Sequence, residues 1–241
     1  GNYEIIEQCT AYGYVLDSAP IAFKVAGSKT VVTVEKHNMP QKGIIRITKS
    51  GEIFFSAVET DGVYSLVFAD KNLAGATYEI TAAEDIITPD GTLRYAKGTV
   101  VDTVTTDENG AAESKALYLG KYTVRETKAP YGMVLNNTPK TVELTYAGET
   151  VEVTETAAEF YNERQKAALS LAKILGKDDI FNIGNNGEIL SVQFGLYAAE
   201  DLFAADGSFV PKDGLLEIAN CDENGNIIFK TDIPIGAKLY V

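Results

Sequence analysis

The sequence predicts an all-β protein folded as an antiparallel β-sandwich, and three observations favour this class. The composition suits strands, with 13 Tyr and 10 Phe, and 21 Gly supply turns. Short segments with alternating apolar residues recur along the chain, separated by turn signals that contain glycine. Because no long segment shows a convincing helical period, we expect a turn of helix at most.

The predicted strands follow one another through the middle of the chain. The first, GIIRITK (43–49), alternates apolar and polar residues, as a strand with one buried face does. The later strands are predicted at residues 63–69, 76–85, 114–127, 140–154 and 158–162. Turns are predicted at PDG (89–91) and DENG (107–110), and an extra hairpin at residues 50–72. Short strands at this spacing are typical of a sandwich.

An internal repeat organises the sequence. Residues 3–20 match residues 122–139, and residues 38–49 match residues 162–173. The tetrapeptide DENG also occurs twice, once in the middle of the chain and once near its end. Because the matches keep their order at nearly constant spacing, the repeat is about 115 to 124 residues long, which is the size of one domain.

The register of this repeat predicts the domain organisation. Residues 1–42 correspond to the closing strands of one unit, residues 43–164 to a complete unit, and residues 165–241 to the opening strands of a third. We therefore expect one complete domain flanked by two partial repeats.

Three polar residues are predicted to face the core of the complete unit. Side chains alternate across a strand, so the parity of the apolar residues marks the inner face. Lys49 shares the parity of the isoleucines in the first strand, and Glu126 shares that of the apolar residues before it. Asn162 shares the parity of the phenylalanine in the last strand. Three strands would each direct one polar group inward.

Burial would prepare these groups for a reaction with one another. A charge in an apolar core is costly, so burial lowers the pKa of a lysine and raises that of a carboxylic acid. A neutral amine is a nucleophile, and a protonated acid can donate to a carboxamide oxygen and pass a proton to leaving ammonia. Held together, Lys49 and Asn162 are predicted to condense once into an amide, with Glu126 as the proton shuttle.

A plainer interpretation exists for each residue alone. At a strand end, a lysine can extend to solvent, a glutamate can cap a neighbour and an asparagine can form a turn bond. The partial repeats favour the chemical interpretation, because Glu7 and Asn38 stand at the positions of Glu126 and Asn162, and Lys173 at that of the first-strand lysine. Neither partial repeat holds all three groups, so neither bond is expected to close within one isolated chain.

These motifs resemble the Cna protein B-type repeats, also called SpaA-like or prealbumin-like, of Gram-positive surface adhesins and sortase-assembled pilins. The resemblance rests on IRITK (45–49), LAGATYEI (73–80), the so-called E-box YTVRETKAPYGMVL (122–135) and FYNER (160–164). It covers the whole chain if the end pieces count as partial repeats. It implies an immunoglobulin-like or prealbumin-like sandwich in which the first-strand lysine is joined to the last-strand asparagine, with the E-box glutamate as catalyst.

Composition argues against several other classes of function. The formal net charge is −13, which disfavours nucleic acid as a partner. The sequence has no run of 18 apolar residues, so we expect no membrane insertion. With one histidine and no CxxC spacing, we expect no metal site and no cofactor, and Cys9 and Cys221 are expected to be free thiols. The DENG segments lack the alternating ligands of a calcium loop, so plain turns are favoured.

The sequence favours a structural role over a catalytic one. We expect a stalk module of a cell-wall adhesin or pilin outside a Gram-positive cell, with no turnover enzyme activity beyond the single autocatalytic condensation. The alternative is a glycan-binding or host-matrix-binding module on the same scaffold. Expected partners are neighbouring repeats and a second copy of the chain, bound head to tail through the end strands with Lys173 facing Glu7 and Asn38 of its neighbour.

Overall fold

A computed structural model describes residues 1–27 and 31–241, and nearly all regular structure in these ranges is strand. The strands are β1 (Asn2–Ile5), β2 (Ile21–Lys24), β3 (Lys42–Thr60), β4 (Val63–Asn72), β5 (Thr77–Ala82), β6 (Ile86–Ile87), β7 (Leu93–Tyr95), β8 (Val100–Thr105), β9 (Ala111–Glu113), β10 (Leu117–Tyr118), β11 (Gly120–Lys128), β12 (Lys140–Leu144), β13 (Val153–Asn162), β14 (Ser170–Ala172), β15 (Gln193–Ala198), β16 (Leu202–Phe203), β17 (Phe209–Val210), β18 (Leu215–Asn220), β19 (Asn226–Ile228) and β20 (Leu239–Tyr240). The helical structure of the described ranges is one 3₁₀ turn, Glu188–Ser191. The all-β prediction is confirmed.

Contacts divide the chain into two compact units. Unit 1 comprises Gly1–Lys49, Asn72–Pro130 and Leu135–Tyr161, and unit 2 comprises Ser50–Lys71, Tyr131–Val134 and Asn162–Val241. Strand β3 therefore contributes its first part to unit 1 and its second part to unit 2. The repeat boundaries at residues 42 and 164 come from matched sequence positions and not from contacts, and they remain a prediction.

Unit 1 contains Lys49 and Glu126. An antiparallel sheet has the order β12-β11-β5-β8, and the first part of β3 pairs with β9, β10 and β13. The inner side chains form one core because alternate residues of each strand are apolar. Its largest fully buried apolar side chains are Ile45, Ile47, Tyr78, Ile80, Ile86, Leu117, Tyr122 and Leu144.

Unit 2 has its own core. Strand β15 pairs with β18 and β20 in antiparallel fashion, and β14 pairs with β19. Buried residues of this core include Leu196, Val210, Leu216, Ile227 and Phe229.

The hairpin predicted at residues 50–72 is confirmed. Strands β3 and β4 are neighbours in one sheet, and a two-residue turn at Asp61 and Gly62 joins them. Both turn residues have left-handed backbones, with φ of 51° and 83°, which suits the twist of a tight hairpin. Strand β3 continues without a break from the lysine strand into this hairpin.

The two DENG segments form equivalent turns. The side chain of Asp107 accepts hydrogen bonds from the backbone N–H groups two and four residues later, and Asp222 does the same. Each turn closes on a left-handed glycine, with φ of 69° at Gly110 and 81° at Gly225. The plain-turn interpretation therefore describes the local geometry, because each aspartate is used to hold its own loop.

Candidate functional site

Three strands each place one polar residue in an inner row. Buried positions alternate along the first part of β3, along β11 and along β13, and they include Lys49, Glu126 and Asn162, respectively. Glu126 and Asn162 are the last buried positions of their strands, whereas the row of β3 continues to the buried Gly51. Lys49, Glu126 and Asn162 are exposed by 1%, 1% and 0%, respectively. The structure thus places three polar side chains of opposite or complementary chemistry out of reach of water.

The amine and the acid are in direct contact. Lys49 Nζ lies 3.0 Å from Glu126 Oε1, and both side chains are fully buried. Burial lowers the pKa of Lys49, although the nearby Glu126 carboxylate opposes this shift and the positive charge of Lys140 adds to it. Passing one proton from Nζ to Oε1 would convert the ion pair into a neutral amine and a neutral acid. A low-dielectric interior narrows the free-energy gap between these two forms.

The surroundings of Glu126 fix its position. The backbone N–H of Asn136 donates to Glu126 Oε2 at 3.0 Å. The ring of Tyr78 packs against that of Phe160, with centroids 4.7 Å apart. Burial, aided by the charge of Glu126, raises the pKa of Tyr78, so its hydroxyl stays neutral beside the acid. The acid is therefore held by a backbone donor and lies beside the hydroxyl of Tyr78.

The amide of Asn162 is oriented by the E-box segment. Its Nδ2 donates to the carbonyl oxygen of Val134. Two backbone bonds hold the same segments together, from Val134 N to Glu163 O at 2.8 Å and from Gln165 N to Gly132 O at 2.8 Å. The carboxamide is thus held by a hydrogen bond at the end of β13, which pairs with β3.

The first partial repeat brings its own acid and amide together. Asn38 Nδ2 lies 3.1 Å from Glu7 Oε1 and 2.9 Å from Oε2, and it donates to the carbonyl oxygen of Val15 at 3.1 Å. It also lies 2.6 Å from Thr10 Oγ1. In the repeat register Val15 corresponds to Val134, so the amide of this copy is oriented as that of Asn162 is.

The last segment reproduces the lysine strand. The backbone N–H of Lys173 donates to Gly225 O at 2.8 Å, as that of Lys49 donates to Gly110 O at 2.8 Å. Strand β14 pairs with β19 in the register that β3 adopts with β9. Lys173 is half-buried, in contrast to the full burial of its equivalent.

Arg164 is an important residue that the sequence reasoning missed. Its side chain is only 5% exposed and forms ion pairs with Glu52 and Asp232. A signal was present, since Arg164 continues the inward parity of Phe160 and Asn162 by one more step.

Other sites considered from the sequence are reported briefly. Cys9 is an exposed free thiol and Cys221 a buried one. Within residues 1–27 and 31–241, no cluster of three or more His, Cys, Asp or Glu has metal-binding geometry. In the same ranges, no helix has the length and apolar character needed to span a membrane.

One family model matches the middle of the chain. Residues 69–158 match the SpaA prealbumin-like fold domain. This match confirms the SpaA-like, prealbumin-like resemblance for that part of the chain. No curated protein sequence matches the chain significantly.

Several solved structures are similar to the chain. The Bacillus anthracis TIE protein aligns at 22% identity and a TM-score of 0.56, over 99% of this chain and 35% of its own. The full-length major pilin SpaD from Corynebacterium diphtheriae aligns at 21% identity and a TM-score of 0.36, covering 54% of this chain and 32% of that one. The group B streptococcus pilus 2b backbone protein aligns at 18% identity and a TM-score of 0.35, covering 60% and 49%.

These likenesses have a limited reach. At 22% identity, the TIE protein supports the fold of this chain and not its function. The chain spans about a third of the length of that protein.

Proposed function

We propose that this chain is a structural stalk module of a Gram-positive cell-surface adhesin or pilin, locked by an amide bond between Lys49 and Asn162. The observation that carries the proposal is the fully buried contact between the amine of Lys49 and the carboxyl group of Glu126. A buried pair of this kind is seldom favourable for stability alone, because desolvation cancels much of the attraction. Its retention in an apolar core is explained by chemistry.

The proposed reaction balances without any co-reactant. Glu126 takes one proton from Lys49, and the neutral Nζ attacks the side-chain carbonyl carbon of Asn162 while the acid hydrogen-bonds to the carbonyl oxygen. Glu126 then relays a proton from the attacking nitrogen to the amide nitrogen of Asn162, the C–N bond of the carboxamide breaks, and ammonia leaves. Glu126 keeps the first proton. One amide bond forms, one breaks, and one ammonia is released per molecule. Proximity supplies the rate, since the groups are held by three strands.

The first partial repeat supports the role given to Asn162. There, the equivalent amide of Asn38 contacts both carboxylate oxygens of Glu7. The first partial repeat thus brings an acid and an amide together where no lysine strand accompanies them. We infer that Glu126 likewise lies within reach of the Asn162 carboxamide when it acts as the proton shuttle.

The position of the bond suits a load-bearing role. Strands β3 and β13 are neighbours in the sheet and enclose most of the complete repeat in sequence. A covalent tie between Lys49, within β3, and Asn162, at the end of β13, would carry tension directly from one strand to the other, so the residues between 49 and 162 would not be stretched. This property suits a module exposed to pulling and proteolysis outside the cell.

Association with further repeats is part of the same proposal. Glu7 and Asn38 form the acid and amide half of a site, and Lys173 marks the amine half of another. We infer that each half pairs with its complement on a neighbouring repeat or on a second copy of the chain. Sedimentation of the chain should then show mass that rises with concentration, and an Asn38→Ala variant should remain smaller. A monomer at all concentrations would contradict self-association.

Single-molecule stretching tests the proposed function directly. With the chain pulled from its ends, the segment between residues 49 and 162 should never lengthen in the native protein, whereas it should extend fully in Glu126→Ala. Glu79→Ala is the matched control, because Glu79 is a partly exposed acid on the neighbouring strand that pairs with Arg125. Full extension of the native chain would contradict the proposal.

A further inference from the structure

The hairpin formed by the end of β3 and by β4 makes its contacts within unit 2. Val63 of β4 pairs with Leu215 of β18 in parallel. On the other strand of the hairpin, Phe54 O accepts a bond from Ala205 N at 3.2 Å, and Ala57 N donates to Ser208 Oγ at 2.7 Å. Both strands of the hairpin are therefore bonded to residues of the last segment.

The hairpin also contributes apolar surface to the core of unit 2. Phe54, Tyr64 and Leu66 pack against the buried cluster that includes Leu196 and Leu216. The alternate side of β4 is more open, with Val67 exposed by 40%. The hairpin therefore has an inner face that is used and an outer face that is solvated.

Arg164 fastens the hairpin at its base. Its guanidinium donates to both carboxylate oxygens of Asp232 and to Glu52 Oε2 at 3.1 Å. It also lies over the ring of Phe68, 3.8 Å from the centroid. A planar guanidinium can make fork-like ion pairs and stack on a ring at once, which lysine cannot do. The buried guanidinium of Arg164 thus contacts Glu52 and Phe68 of the hairpin and Asp232 of the last segment.

We propose that this hairpin is a docking arm, and that its inner face is the binding surface on which residues 165–241 complete their core. The partner it fits is a β-segment with a free strand edge, an apolar inner face and an acid placed to share Arg164. The last segment supplies all three through β18, Leu216 and Asp232. The arm lies in the sequence of the preceding repeat, so the fold of one repeat depends on an insertion in another. This inference does not rest on the amide bond.

Hydrogen exchange of the full chain tests the arm. Leu66→Ser removes apolar contact from the inner face, and Val67→Ser makes a similar change on the outer face. Amides of β15 and β18 should exchange about tenfold faster or more in Leu66→Ser. Those of β5 and β11 should keep their native rates, and Val67→Ser should leave all four strands unchanged. Unchanged β15 and β18 in Leu66→Ser, or equal acceleration in all four strands, would overturn the proposal.

A second variant covers the case in which Leu66→Ser does not fold. Arg164→Gln keeps the apolar face and removes the charge that holds Glu52 and Asp232. Exchange should quicken in β4 and β18 and stay native in β5 and β11, whereas native rates in β4 and β18 would count against the arm. Intact mass separates this proposal from the proposed function, because loss of the arm should leave the ammonia deficit in place.

Discussion

Lys49 Nζ and Glu126 Oε1 lie 3.0 Å apart, with both side chains shielded completely from water. One proton can lie on either of the two groups, since an ion pair and a neutral amine beside a neutral acid contain the same atoms. In water the charged form would dominate, but burial penalises both charges together. In the proposed reaction, this contact would let Lys49 become a nucleophile without any external base.

Removal of the acid should destabilise the protein strongly. Glu126→Ala would leave a buried amine without its partner and would prevent the amide from forming. Breaking a buried pair costs about 3–5 kcal/mol, which corresponds to a melting temperature lower by roughly 6–20 °C. Calorimetry measures this drop. Glu79→Ala should lower the melting temperature by about 4 °C at most, and equal drops in the two variants would contradict the account.

The glycine of the first DENG turn should be hard to replace. A Cβ at Gly110 would lie 2.5 Å from the carbonyl oxygen of Lys49, and its φ of 69° is already unfavourable for other residues. Gly98 shares a left-handed φ of 85° but has open space around it. Gly110→Ala should therefore lower the melting temperature clearly more than Gly98→Ala. Similar losses would show that the turn tolerates the added atom.

The buried tyrosines predict a loss of stability in alkali. Burial raises the pKa of Tyr78 and that of Tyr122, whereas a tyrosine in the unfolded chain ionises near about 10. The native state thus keeps protons that the unfolded state releases, so the free energy of unfolding should fall as pH rises above about 10. Each tyrosine contributes up to about 1.4 kcal/mol per pH unit. Denaturant titrations at several pH values should give a shallower fall for Tyr78→Phe, and an identical fall would contradict the assignment.

The acid and amide of the first partial repeat should stabilise their own segment. Asn38→Ala would remove the donor that reaches Glu7 and the carbonyl oxygen of Val15. Amide exchange at Val15 and Gln41, whose N–H groups bond within this segment, should quicken by roughly tenfold. His37→Ala is the control, because His37 is exposed and adjacent. If the two variants show equal amide exchange rates at Val15 and Gln41, the contacts of Asn38 do not stabilise this segment.

Much of the fold could be predicted because alternation is a local property. In β3, β11 and β13, parity alone placed Lys49, Glu126 and Asn162 on inner faces, and the structure buries all three. The internal repeat adds long-range information, since it aligns Asn38 with Asn162. Contacts that occur in both the partial and the complete repeat then follow from the residues that the two repeats share.

The partner of the hairpin could not be predicted in the same way. Residues 50–72 show their turn at Asp61 and Gly62 locally, but β4 pairs with β18, about 150 residues away. The alternation of apolar residues along a strand does not identify the strand edge with which it will pair. Arg164 was overlooked for a related reason, because its value depends on Glu52 and Asp232, which are distant in sequence.

Intact mass under denaturing conditions tests the central claim most directly. The native chain should weigh one ammonia less than its sequence requires, and proteolysis should release a branched peptide that joins Lys49 to Asn162. Lys49→Ala and Glu126→Ala should each have the full mass of their sequences, while Glu79→Ala should keep the deficit. A native chain with the full mass of its sequence, and with no branched peptide, would contradict the account.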